Sequence, residues 1–97
     1  MANWRSPKYL AAARDQPCAR CGAQDGTVVA AHSNRQQHGK GMGIKAHDIF
    51  VADLCRRCHD WYDGRGSVTE SSDERQIEWQ QAHEVTLLNR LKRGIIK

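Results

Sequence analysis

The chain has 97 residues, 15 Lys and Arg against 11 Asp and Glu, a formal net charge of +4 and a mean hydropathy of −0.75. A chain this short has room for one domain, taken as 1–97, and buries too little apolar surface to be comfortably stable without a staple. No apolar run approaches a membrane span and Met1 to Leu10 lacks the apolar core of a signal peptide, so no membrane association and a cytoplasmic location are expected.

The sequence around Ser6 and Pro7 combines an N-cap with a proline at the first helical turn, predicting a short N-terminal helix over Lys8 to Arg14 that ends before Pro17. Cys18-Ala19-Arg20-Cys21-Gly22 follows as a knuckle, with glycine for the turn. Thr27-Val28-Val29-Ala30-Ala31 predicts a strand ending near His32. Residues 33–45 are polar, contain Gly39, Gly41 and Gly43, and predict a loop. Ile49 to Leu54 predicts a second, antiparallel strand running into Cys55-Arg56-Arg57-Cys58, after which a helix extends to Asp63 and breaks at Gly64. A capping box, Ser71 with Glu74, opens a long C-terminal helix over about 72–93. Ile77, Val85, Leu88, Leu91 and Ile95 fall on one face of that helix, which is expected to dock on the rest of the domain or to dimerise.

Two Cys-x2-Cys pairs, Cys18/Cys21 and Cys55/Cys58, are separated by 33 residues. In a reducing compartment four thiolates in this pattern point to a structural zinc site rather than to disulfides. Zinc binding, on the order of 10 kcal/mol in apparent terms, is the staple that the size demands. It also lowers the net charge to about +2, so the basic balance is only weak support for a nucleic-acid partner. A closed four-sulfur site has no vacancy for chemistry, which leaves His59, directly after Cys58, as a surplus donor. On a helix His59 and Asp63 stand at i and i+4, one turn apart on one face, where an imidazole and a carboxylate reach a single Mg²⁺, Mn²⁺ or Zn²⁺ ion; the alternative is a solvated helix face.

The order of knuckle, strand ending in His32, loop, second strand and Leu54-Cys55-x2-Cys58-His59 resembles the zinc-knuckle branch of the HNH, or ββα-metal, endonuclease family. The resemblance covers 18–64. Val28 to His32, Gly39 to Lys45, Asp48 and Asp63-Gly64-Arg65 are similar to short phage and prophage nuclease-domain proteins. It implies an α+β fold with a ββα-metal core, and a metal-dependent DNA endonuclease with His32 as general base. His59 and Asp63 would be catalytic-metal ligands, and Lys45 would stabilise the transition state. Mg²⁺ or another divalent ion would serve beside the structural Zn²⁺, with DNA as partner and a recombination or replication protein as a further one.

Two positions depart from the family pattern. Ala31 stands where many members carry a metal ligand before the base, and Phe50 replaces the central Asn. Asp48 is expected to substitute for one of the two, the first-strand metal ligand or the loop-orienting amide, and is counted with the catalytic-metal ligands; alternatively His32 binds the ion and His38 or His47 is the base. Lys40, Lys45, Arg56, Arg57 and Arg65 are candidate phosphate contacts, Lys40 and Lys45 on a flexible loop, against the plainer reading of solvated charge. One of Trp61 and Tyr62 is expected to pack, Trp4 and Trp79 are expected in the core or packed on a helix rather than stacking on bases, and His83 carries no assigned role. The competing function is a non-catalytic zinc module that binds nucleic acid or a protein.

Overall fold

The computed structural model describes residues 3–96 and shows a small α+β architecture of three α-helices and a two-stranded sheet. The elements run α1 (Pro7–Ala11), β1 (Val29–His32), a 3-10 turn (Gln36–His38), β2 (Val51–Leu54), α2 (Arg56–Tyr62) and α3 (Ser72–Lys92). Ser6 caps α1 by accepting from the Tyr9 amide, and Pro7 occupies the first helical position. The helix is shorter than expected, ending at Ala11 and passing through turns to Asp15, whose φ is +60°.

The strands pair antiparallel in the register Val29↔Leu54, Ala30↔Asp53, Ala31↔Ala52 and His32↔Val51. All four residues of β2 are buried, because α3 lies across it. Trp79, fully buried, donates its indole N–H to the Ala31 carbonyl 3.1 Å away and stacks on Tyr62 and His83. Trp4 is 46% exposed and lies outside the core, packing edge-on against Tyr9 of α1, the helix-packing one of its two expected places.

α3 begins with the expected capping box between Ser71 and Glu74, but it docks through the opposite face to the one its apolar residues mark. Ile77, Val85, Leu88 and Leu91 are 62, 53, 49 and 58% exposed. The buried face is Gln76, Trp79, Ala82, His83, Thr86 and Arg90. Three of its four polar members are met by β2, and Gln76 Oε1 accepts from the Tyr62 hydroxyl of the neighbouring helix at 2.6 Å. His83 Nδ1 bonds the Val51 carbonyl at 2.8 Å, and Thr86 Oγ1 accepts from the Asp53 amide at 2.9 Å. Arg90 forms two 2.7 Å bonds to the Asp53 carboxylate, with both side chains nearly inaccessible. A buried charge pair of this kind is tolerated only with such bidentate geometry.

Candidate metal-binding cleft beside a four-cysteine cluster

The two knuckles converge. The ligand atoms of Cys18, Cys21, Cys55 and Cys58 all lie within 4.8 Å of one another. A tetrahedral zinc ion with Zn–S bonds of about 2.3 Å places its sulfurs about 3.8 Å apart, and the Cys21 and Cys55 sulfurs stand 3.7 Å apart. Four soft donors at this spacing fit a metal such as zinc. Gly22, at φ +81°, makes the turn that brings the first pair together, and the Cys21 amide points at the Cys18 sulfur. Burial pushes the Cys58 thiol up to about 12, while a hydrogen bond from the Ala23 backbone, ahead of those from the other cysteines, helps hold Cys21 at about 6. Metal binding to the set therefore releases protons.

Cations flank the sulfurs. Arg20 lies 3.6 Å over the Trp61 ring, donates to the Cys58 sulfur at 3.4 Å and pairs with Glu78 at 3.1 Å. Trp61 in turn donates to Glu70, while Tyr62 is the packed member of that aromatic pair. The cysteine sulfurs, Cys21 foremost, hold the Arg57 guanidinium above its ordinary range. Such cations offset the negative charge that four thiolates leave after neutralising a dication. Arg56 and Arg57, expected among the phosphate contacts, line no part of the cleft described next; α2 begins at the sulfur cluster and points its later turn toward the cleft.

A cleft of about 270 Å³ is lined by Ala30, His32, Asn34, Lys40, Lys45, His59 and Asp63. It draws one wall from β1, one from α2 and one from the glycine-bearing loop. His59 Nε2 and Asp63 Oδ2 are 3.5 Å apart and part-exposed, close to the roughly 3.0–3.4 Å separation of two neighbouring ligands bound at about 2.1 Å to one ion. Two such donors with open positions fit a divalent ion that keeps water or substrate oxygens. Among the described residues the four cysteines are the one preassembled group of three or more metal-type donors. The cleft thus offers a pair. Arg65 is at the rim, 3.5 Å from Asp60 and 4.0 Å from Asp63.

Asp48, expected among the ligands of a second ion, is 2% exposed and sits behind His32. Oδ1 is 2.8 Å from His32 Nε2 and 3.1 Å from Arg5 Nη1, and Oδ2 accepts from the Ser6 amide at 2.7 Å. Both oxygens are engaged, so Asp48 is placed to orient His32 rather than to face the cleft. Burial opposes its ionisation, but these donors outweigh it and hold the carboxyl below its usual range. A carboxylate at Nε2 selects the His32 tautomer that carries its proton there, leaving Nδ1 as the acceptor.

Neither alternative base, His38 or His47, lines the cleft. His38 Nδ1 pairs with Ser33 Oγ at 2.6 Å while its ring stacks on Phe50 at 4.1 Å, and His47 Nδ1 accepts from the Trp4 amide at 2.8 Å. Ala31, in the position of the missing strand ligand, faces the core at 1% exposure.

The loop is less free than its glycines suggest. Asn3 donates to the carbonyls of Gly39 and Lys45, Arg5 donates to those of Lys45 and Ala46, and the Asp48 amide bonds Trp4. A Cβ on Gly39, whose φ is +96°, would stand 2.8 Å from both Asn3 and His47. The N-terminal residues 3–6 are therefore a strap that fixes Lys40 and Lys45 beside the cleft. Nothing local in the sequence marks Asn3, Arg5 or Asn34 as site residues, because the partners of Asn3 and Arg5 lie some 40 positions away and are brought together only by the fold.

The architecture and this pair of sites define a small α+β protein with a four-cysteine metal-type cluster beside an open His/Asp cleft. The chain belongs to the DUF968 family, described as proteins of unknown function, whose profile matches residues 1–90. It is 42% identical over 59 residues to YdfU, an uncharacterized protein of Escherichia coli K12. That match covers 59% of this chain and 16% of the relative, so the chain corresponds to a small part of the longer protein. A solved structure of a candidate bacteriophage protein from Escherichia coli K-12 superposes with a TM-score of 0.66 at 24% identity, covering 88% of this chain and 98% of that one. At that identity the likeness concerns the fold alone.

Proposed function

We propose that this protein is a metal-dependent DNA endonuclease of the HNH, ββα-metal type, with the four cysteines holding structural zinc. The observation that carries the reading is the shared cleft of His32, His59, Asp63, Lys40 and Lys45 next to a sulfur cluster already complete in itself. A module that only bound nucleic acid would have no need of an aligned imidazole and carboxylate there. Similarity to a candidate bacteriophage protein fits a phage or prophage origin.

His32, held at Nε2 by Asp48, takes a proton from the attacking water at Nδ1. His59 and Asp63 would hold the divalent ion, which when bound would supply positive charge to the scissile phosphate and the departing oxygen. Lys40 and Lys45 grip the flanking phosphates, and Lys45 adds charge stabilisation at the reacting one. Among the described residues the one helix at the cleft, α2, contributes His59 and Asp63 to it, which serve the ion rather than base reading, so weak sequence preference is expected.

A non-catalytic zinc module remains the second reading, favoured by the buried Ala31 and by Phe50 in place of Asn. Supercoiled-plasmid nicking in Mg²⁺, Mn²⁺ or neither separates the two. Metal-dependent nicking that His32→Ala and His59→Ala both abolish, in folded and zinc-loaded protein, is expected. DNA binding without cleavage under every metal gives the case to the binding module.

A further inference from the structure

The loop between the strands ends in a tip built around one side chain. Gly41 and Ile44 exchange two 3.0 Å backbone hydrogen bonds, and Gly43, at φ +68°, makes the turn between them. Met42 stands at that turn with a glycine on either side, and it is fully exposed. A methionine so placed contributes nothing to the core. The stem that carries it is nevertheless fixed: the Asn3 side-chain nitrogen donates to the Gly39 carbonyl on one leg at 2.7 Å and to the Lys45 carbonyl on the other at 2.9 Å, and Arg5 holds the carbonyls of Lys45 and Ala46. Lys40 and Lys45, next to the bridge on either leg, both line the cleft of His32, His59 and Asp63. One apolar point is thus held between two cations at the edge of the proposed phosphate site.

We propose that Met42 is a wedge that enters the minor groove of duplex DNA and parts a base step beside the phosphate to be cut. A minor groove is about 6 Å wide, with phosphates along its walls and the apolar base stack at its floor. An unbranched thioether between two glycines is narrow enough to enter it, and Lys40 and Lys45 meet the adjoining phosphates. A protein or membrane contact needs a broader apolar patch than this tip offers. Apolar wedges of this kind unstack a step and kink the duplex toward the major groove. Steps that part readily, TA, CA/TG and mismatches, then become the preferred substrate, selected by deformability rather than by base-edge contacts. The inference rests on DNA as the partner but not on its cleavage, because a module that only bound DNA would use the wedge equally.

The test titrates the full, zinc-loaded chain into a duplex carrying 2-aminopurine at a central TA step, and into the same duplex with one mismatch there, without Mg²⁺ or Mn²⁺, so that unstacking is read apart from cleavage. Wild type should raise the 2-aminopurine fluorescence and bind the mismatched duplex about tenfold more tightly than the matched one, because a mismatch removes part of the unstacking cost. Met42→Ala, at a position with no packing to lose, should keep the wild-type urea midpoint and still bind DNA through its lysines. It should leave the fluorescence unchanged and bind the two duplexes alike, while Met42→Leu should retain both wild-type signals. Fluorescence that rises equally with Met42→Ala, or a wild type that binds without unstacking, overturns the wedge even if the protein nicks plasmid with metal. Unstacking that depends on Met42, in a protein that nicks under no metal, upholds the wedge and removes the endonuclease reading. A wild type that binds neither duplex overturns both.

Discussion

Replacing Asp48 by Asn keeps the shape of the side chain and removes its charge, which isolates what the carboxylate does for His32. Asp48 is 2% exposed and receives the Ser6 amide, the Arg5 guanidinium and His32 Nε2 at 2.7, 3.1 and 2.8 Å. In Asn one acceptor oxygen becomes an NH2 group, so at least one buried donor faces another donor. That mismatch costs about 1–3 kcal/mol, and the charge-assisted character of the remaining bonds is lost as well. For nicking, the loss is bounded by the 10²–10⁴-fold, roughly, that a positioned base contributes. The assay is initial nicking rates of wild type, Asp48→Asn, His32→Ala and the double variant, with urea melts and zinc content on the same samples. If Asp48 acts through His32, Asp48→Asn slows wild type by at least tenfold or so and adds little once His32 is gone. An equal slowing on both backgrounds, or wild-type nicking by Asp48→Asn, would refute this chain of reasoning.

Arg90→Met leaves the Asp53 carboxylate buried without its partner and should lower stability by about 3–5 kcal/mol in urea unfolding, whereas a loss below about 1 kcal/mol would contradict the buried pair. Burial holds His38 and His83 below the ordinary imidazole range, His38 also feeling the charges of His83 and Arg35. The unfolded chain therefore takes up these protons first, and stability present above about pH 6.5 is lost as pH falls toward the lower folded values. Urea midpoints should drop from pH 7.5 to 5.5, and less so in His83→Gln; a flat profile would disprove the assignment. Chelation, or Cys55→Ser, should unfold the domain cooperatively by circular dichroism, with one zinc per chain found by elemental analysis before treatment; a chelated protein that keeps its melting transition would show the cluster to be dispensable.

The parts of the molecule that were legible in the sequence are those specified locally. The convergence of two Cys-x2-Cys pairs, a strand that reaches His32, and the i, i+4 placement of His59 and Asp63 each depend on a few neighbouring residues and are present, although β1 begins at Val29 and leaves Thr27 and Val28 of the β-branched run outside it. The face of α3 was misread because hydropathy ranks Ile77 and Leu88 above Thr86, His83 and Arg90. The latter three are buried only because β2 presents a carbonyl at Val51 and an amide and a carboxylate at Asp53 to meet them. Periodicity carries no information about such partners. Asp48 was assigned to the ion for a similar reason: its donors, Arg5 and Ser6, come from the strap more than 40 residues earlier.

One hydrogen bond sets how this molecule can diverge. Ser33 donates its amide to the Phe50 carbonyl at 2.9 Å, closing the neck of the hairpin just beyond the His32↔Val51 pair. The excursion between them carries Lys40, Lys45 and the fully exposed Met42, while His32, His59 and Asp63 all lie outside it. Provided that Asp48 and the bonds to the strap are retained, the tip can lengthen, shorten or change composition without moving those three side chains. Variation among relatives should therefore concentrate there, altering what the protein grips while leaving the donor geometry intact.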